Sequence, residues 1–244
     1  MARNLLAAII FVLLCPVPSW AAETLVIASR ENTLTNRYVE SVLVKAYARM
    51  DIGVEFVHYP DARSVIAAND GYADGEAARL EAVVGNFPNL MLVPVPLFYS
   101  DLSVFFHQGY DINISNWESL AGYSATTIRG FEYVKKKLAG QKLKVVKTTA
   151  EAVSLIDRDL VEVAVLNSLL GQLAIREAGV KNVMEHAPPL DRLPVYHLLH
   201  KKHVALVPKL TNVLEGMERD GSLRTMWESF VADELQKASD RAAQ

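Results

Sequence analysis

Short apolar runs alternate with amphipathic segments along most of the chain. Thr24-Leu25-Val26-Ile27-Ala28 reads as a buried strand. A helix follows, with Leu34, Tyr38, Val39, Val42, Leu43, Ala46, Tyr47 and Met50 on one face and Asn32 or Thr33 as its cap. Asp51-Ile52-Gly53 ends it, and Val54 to Tyr59 is a second strand. Asp61 then caps a short helix running toward Gly71, and Ala73-Asp74-Gly75 is extended. Met91 to Pro94 and Leu102 to Phe106 are further extended pieces.

A second set repeats the alternation. Strands are predicted at 123–128, 143–146, 161–166 and 195–199, with helices at 131–138, 149–156, 168–178, 208–219 and 222–238. Such an order predicts an α/β protein whose mainly parallel sheets are flanked by helices.

The start of the chain breaks this pattern. Arg3 precedes an unbroken apolar run, Leu5 to Leu14, then Pro16 and Pro18, then the small residues of Ser19-Trp20-Ala21. A charged start, a short apolar centre and a small-residue site make a secretion signal spanning residues 1–21, and the run is too short to cross a bilayer comfortably. The expected compartment is the periplasm. The single cysteine, Cys15, lies inside this segment behind the bulky Leu14, which does not suit lipid attachment. Without it, disulfides and thiolate metal sites are excluded. The chain's net charge is −3, and loss of Arg3 makes it −4. Such a charge makes no case for nucleic acid as a partner.

Several passages together resemble the amino-acid-type bacterial extracellular solute-binding proteins of family 3. They are Pro60-Asp61-Ala62-Arg63-Ser64, Asn69-Asp70-Gly71-Tyr72-Ala73-Asp74-Gly75 with Arg79, Leu120-Ala121-Gly122 before Arg129-Gly130, Val161 to Asn167, and Asp220-Gly221-Ser222-Leu223 with Trp227. The resemblance covers most of the chain after the signal. It implies a type II periplasmic binding fold of two lobes, each a mainly parallel sheet flanked by helices, joined by a two-segment hinge. Lobe 1 would be residues 22–104 and 195–244, and lobe 2 residues 105–194. The ligand would lie between them, and closure around it would be a hinge motion.

The resemblance also implies site residues. Arg79 stands where family members clamp a ligand carboxylate, which a guanidinium suits by offering two parallel donors. As a cleft-lining side chain it is expected to add little to the apo fold. Around it the pattern departs from the family. Glu76 stands in place of a threonine, Asn167 in place of the acid that holds an ammonium, and Gly130-Phe131-Glu132 in place of a Gly-Ser/Thr-Thr element. An amide does not neutralise an ammonium as a carboxylate does. Strand ends add Arg30, Glu31, Tyr99 and Arg129 as ligand-binding candidates, along with Phe98, Ser100 and Asp101.

His186, His197, His200 and His203 lack a third ligand at metal spacing, so no metal and no cofactor are expected. The expected function is capture of a small polar, anionic solute, amino-acid-like or a carboxylate, by a monomer that serves an inner-membrane permease of the ABC type. A sensing module for a membrane receptor is the alternative, followed by a cyclic-acid dehydratase-like enzyme. The leading reading is not an enzyme.

Overall fold

The computed structural model describes residues 24–31, 33–60 and 62–243. The signal segment and the two predicted caps Asn32 and Asp61 lie outside the described residues. The first half comprises β1 (Thr24–Arg30), α1 (Asn36–Ala48), β2 (Gly53–Tyr59), α2 (Arg63–Asn69), β3 (Gly75–Leu80), α3 (Glu81–Val84), β4 (Leu90–Leu92) and β5 (Phe98–His107). Next come β6 (Ala125–Ile128), α4 (Glu132–Lys137), β7 (Leu143–Val146), α5 (Thr149–Asp157), β8 (Val163–Asn167), α6 (Ser168–Glu177) and β9 (Val183–Glu185). The chain returns through β10 (Asp191–His200), a 3-10 turn and two helices, α7 (Val207–Arg219) and α8 (Ser222–Ala242).

This is the two-lobed α/β architecture expected. The strands run in the order β2-β1-β3-β10-β5-β8-β6-β7. β1 is parallel to β2 and β3, and β6 is parallel to β7 and β8. Between these parallel groups stand β5 and β10, the two ten-residue strands. Phe98–Leu102 pairs antiparallel with Asp191–Val195, then the strands diverge. The rest of β10 pairs with β3 and β4, and the rest of β5 pairs with β8 and β9. Each strand therefore has one half in each lobe.

Packing divides the same way. One core gathers Leu25, Ile27, Tyr38, Leu43, Tyr47 and Leu199 with Leu210, Leu214 and Met217 of α7. In the other lobe β8 is covered on both faces, with Ala164 and Leu166 in one cluster and Val163 and Val165 in another. A strand buried on both faces has no polar alternation, which is why 161–166 is an unbroken apolar run apart from Glu162.

Two helix details differ from expectation. α1 starts at Asn36 with Thr35 before it making no side-chain cap bond, and the expected cap Thr33 donates its hydroxyl to the Glu31 carbonyl instead. Helix α8 does not stay with one core. Leu223 and Met226 pack on the β1–α1 core, Trp227 and Phe230 touch both that core and the cluster of Leu169 and Leu173 of α6, and Val231, Leu235 and Ala238 pack with that second cluster. Arg241 pairs with Glu177 of α6 at its far end.

Candidate functional site: the cavity between the lobes

A cavity of about 680 Å³ opens where β5 and β10 cross. Its walls come from the end of β1, the start of α1, β3, the start of β5, the β8–α6 junction and α8.

The chemistry of one wall comes from a defect in β3. Arg79 faces Tyr196 and Glu76 faces Leu198, so three steps along β3 match two along β10. Without that extra residue, side chains three apart on a strand would point to opposite faces. The bulge turns Glu76 and Arg79 to the same side. Glu76 Oε1 lies 2.9 Å from Arg79 Nε, and Arg79 Nη2 donates to Ser64 Oγ. Gly75 allows this geometry, because a β-carbon there would lie 2.4 Å from the Leu198 carbonyl oxygen. His197 secures it: its Nδ1 donates to the Glu76 carbonyl at 2.8 Å and also approaches that of Ala77, while its Nε2 accepts from the Tyr47 hydroxyl. Burial lowers the His197 ring to about 4, against the pull of those carbonyls. The ring is therefore a neutral structural pin.

Glu76 is 1% exposed and Arg79 8%. Burial raises the Glu76 carboxyl to about 7, opposed by Arg79, the Ser64 hydroxyl and Arg30. The expectation that Arg79 adds little to the apo fold is corrected here, because it is the countercharge of a buried carboxylate.

The other candidates divide. Arg30, Tyr99 and Asn167 join Glu76 and Arg79 on the cavity wall. Tyr99 stacks beneath the Arg192 guanidinium, 4.6 Å from ring centroid to the guanidinium carbon. Asn167 caps α6, accepting from the Leu170 N–H, and its amide donates to Ser100 Oγ at 3.0 Å. Glu31, Arg129 and Gly130 are exposed and lie outside the cavity lining. Gly130 takes a φ of +92° that turns the chain, and the next residue, Phe131, lines the cavity instead.

Ser64, His197 and Trp227 belong to the site's construction although sequence reasoning gave them no place in it. Trp227 stacks on Phe98 with centroids 4.8 Å apart and also lines the cavity. Ser64 and Trp227 lay inside quoted motifs without a chemical role attached, and His197 was weighed only as a metal ligand. Among the described residues no group of three or more His, Cys, Asp and Glu is arranged to hold a metal ion. No described helix is long and apolar enough to cross a membrane.

No family model matches the chain, and no curated protein matches it. Solved structures do. The GluR0 ligand-binding core in complex with L-glutamate is similar with a TM-score of 0.68 at 10% identity, over 86% of this chain and 99% of that one. A histidine kinase sensor domain with similarity to periplasmic binding proteins gives 0.64 at 16%, over 86% and 96%. An ancestral arginine-binding protein bound to arginine gives 0.59 at 17%, over 85% and 97%. The fold is thus that of the type II periplasmic-binding-protein-like class, which includes both solute-binding and sensor proteins.

Proposed function

We propose that this chain captures a small polar solute, amino-acid-like or a carboxylate, in the cavity between its lobes, as family 3 solute-binding proteins do. The observation that carries the reading is the convergence of Arg30, Glu76, Arg79, Tyr99 and Asn167 on one concave surface where two separately packed cores meet. Ligand pockets of this size with few convergent polar groups are the usual place for small-molecule recognition. Arg79 and Arg30 supply positive charge for the ligand's anionic group. Residues 22–104 and 195–244 would move as one lobe against 105–194. The chain would act as a monomer in the periplasm after loss of its signal, handing its ligand to an inner-membrane permease.

A sensing role is the second reading, favoured by α8. It packs on the β1–α1 core at its start and on α6 further along, so a change in lobe angle would reach its last turns. Co-purification with a permease would support transport, and with a membrane receptor, sensing. Solute capture itself is tested by thermal shift with a metabolite panel, since a ligand at about 100 times its Kd adds about 2.7 kcal/mol. A panel of amino acids and carboxylates that leaves the melting temperature unmoved would count against it.

A further inference from the structure

We propose that Glu76 is the anchor for a positively charged N–H donor of the ligand, so that the solute carries an ammonium or guanidinium group and the cation is read on the β3 wall rather than at Asn167. The inference rests on the solute-binding reading of the cavity and adds the chemical class that the cavity selects.

Two cavity-lining residues each keep a buried carboxylate oxygen with no hydrogen-bond partner among the described residues, Glu76 Oε2 and Asp101 Oδ1. Arg192 Nε stands 3.5 Å from Asp101 Oδ1, too far for a good bond. A buried carboxylate oxygen without a donor is costly, and one on a cavity wall gains its donor when a ligand supplies it. Both oxygens accept and neither donates when ionised, so what they select is N–H or O–H on the ligand.

The charge of that donor follows from the pair. Arg79 at 2.9 Å already favours the ionised carboxylate, while burial opposes it. A second cation at the vacant oxygen completes the ionisation. A carboxylate arriving there would instead require Glu76 to keep its proton. Arg79 meanwhile has its side-on edge, Nε with Nη2, engaged by Glu76 and Ser64. The opposite signs thus lie side by side on one strand, because the bulge places them on one face. Asn167 does not serve the cation: its oxygen caps α6 and its amide donates to Ser100.

The test pairs probes that differ only in the amino group: glycine with acetate, L-alanine with propionate, L-glutamate with glutarate, and L-arginine with 5-guanidinopentanoate, with agmatine added. Thermal shift finds the binders, and titration calorimetry measures them in two buffers of different ionisation enthalpy at pH 7. The expected result is that every probe that binds carries a cationic N–H group. Glycine, L-alanine and L-glutamate, where they bind, should exceed their deaminated partners by about tenfold or more, the scale of a charge-assisted bond, whereas 5-guanidinopentanoate keeps a cation for Glu76 and should bind comparably to L-arginine. Binding should release protons, since a cation on Glu76 displaces the proton that burial retains there. In Glu76→Gln the preference should fall below about threefold. The proton measurement uses the unaltered protein, so it decides the matter even if that variant folds poorly. Glutarate or propionate binding as tightly as its amino partner, or binding with proton uptake, overturns the Glu76 assignment and leaves solute capture standing. Failure of all probes to bind overturns both.

Discussion

Asp74 and Glu76 are two residues apart, and the fold uses their carboxylates in opposite ways. Asp74 lies in the bend before β3, at the edge of the β1–β3 layer. Its oxygens accept from the Val26 N–H, Lys202 Nζ and His203 Nε2, each at 2.7 Å. Burial pushes that carboxyl up, but these partners overcome it and hold it at about 2. Glu76 faces the cavity with Arg79 and the Ser64 hydroxyl as its contacts and Arg30 nearby, and burial still raises it to about 7. One acid is fully satisfied within the protein and ties β1 to the turn after β10. The other is left with an oxygen to spare. Buried polar groups that serve stability are satisfied internally, and those that serve binding are satisfied by the ligand.

Variants at these positions should separate the two roles. The largest effect is expected for Arg79→Ala, which leaves Glu76 buried without its countercharge. At pH 8 it should cost about 3–5 kcal/mol in the apo protein and weaken solute binding by tenfold or more. Adding Glu76→Gln should restore most of the apo stability, in urea unfolding, without restoring binding. An Arg79→Ala protein as stable as the parent would show that the pair contributes nothing to the fold.

Asp74→Ala comes next, at about 3 kcal/mol, because it removes several hydrogen bonds to an ionised group at once. Binding by the folded protein should be unchanged. A loss of affinity with stability retained would reverse the contrast between the two acids.

The pH profile of apo stability is a finer probe. Glu76 has a folded value above its unfolded 4.5, so its contribution is fully present below 4.5 and is lost as pH rises through about 7. His197 has a folded value below its unfolded 6.5, so its contribution is present above 6.5 and is lost as pH falls through about 4. The two oppose each other across the same window. Glu76→Gln should therefore expose a melting temperature that climbs from about pH 4 to 6.5. A flat profile in that variant would mean that His197 is not the neutral pin described.

The smallest effect belongs to Asn167→Ala. Loss of a helix cap costs about 1 kcal/mol. Affinity for an ammonium-bearing probe should change less than in Glu76→Gln, and calorimetry on both variants compares them directly.

Local pattern alone determined much of this protein. The apolar periods of α1, α5 and α6, the unbroken apolar run of β8 and the strand–helix alternation specify an α/β fold of helix-flanked, mainly parallel sheets, because burial on a helix stripe or between two helix layers leaves its signature in consecutive residues; the division into two lobes came from the family resemblance. Arg30 and Tyr99 were legible as site candidates because strand ends carry ligands in such sheets, and Glu76, Arg79 and Asn167 because of where they stand in the passages that resemble family 3. What each does was not legible. The Glu76–Arg79 pair depends on a bulge set by the register of β3 against β10, strands more than a hundred residues apart in sequence. The roles of His197 and Ser64 depend on which strand and helix come to lie beside that bulge. Arg129 and Glu31 share the strand-end signal, yet they are exposed and lie outside the cavity lining. Helix α8 reads as one helix over 222–238, but which core its residues meet depends on where α6 lies. Periodicity records that a side chain is buried, and only the tertiary structure decides against what.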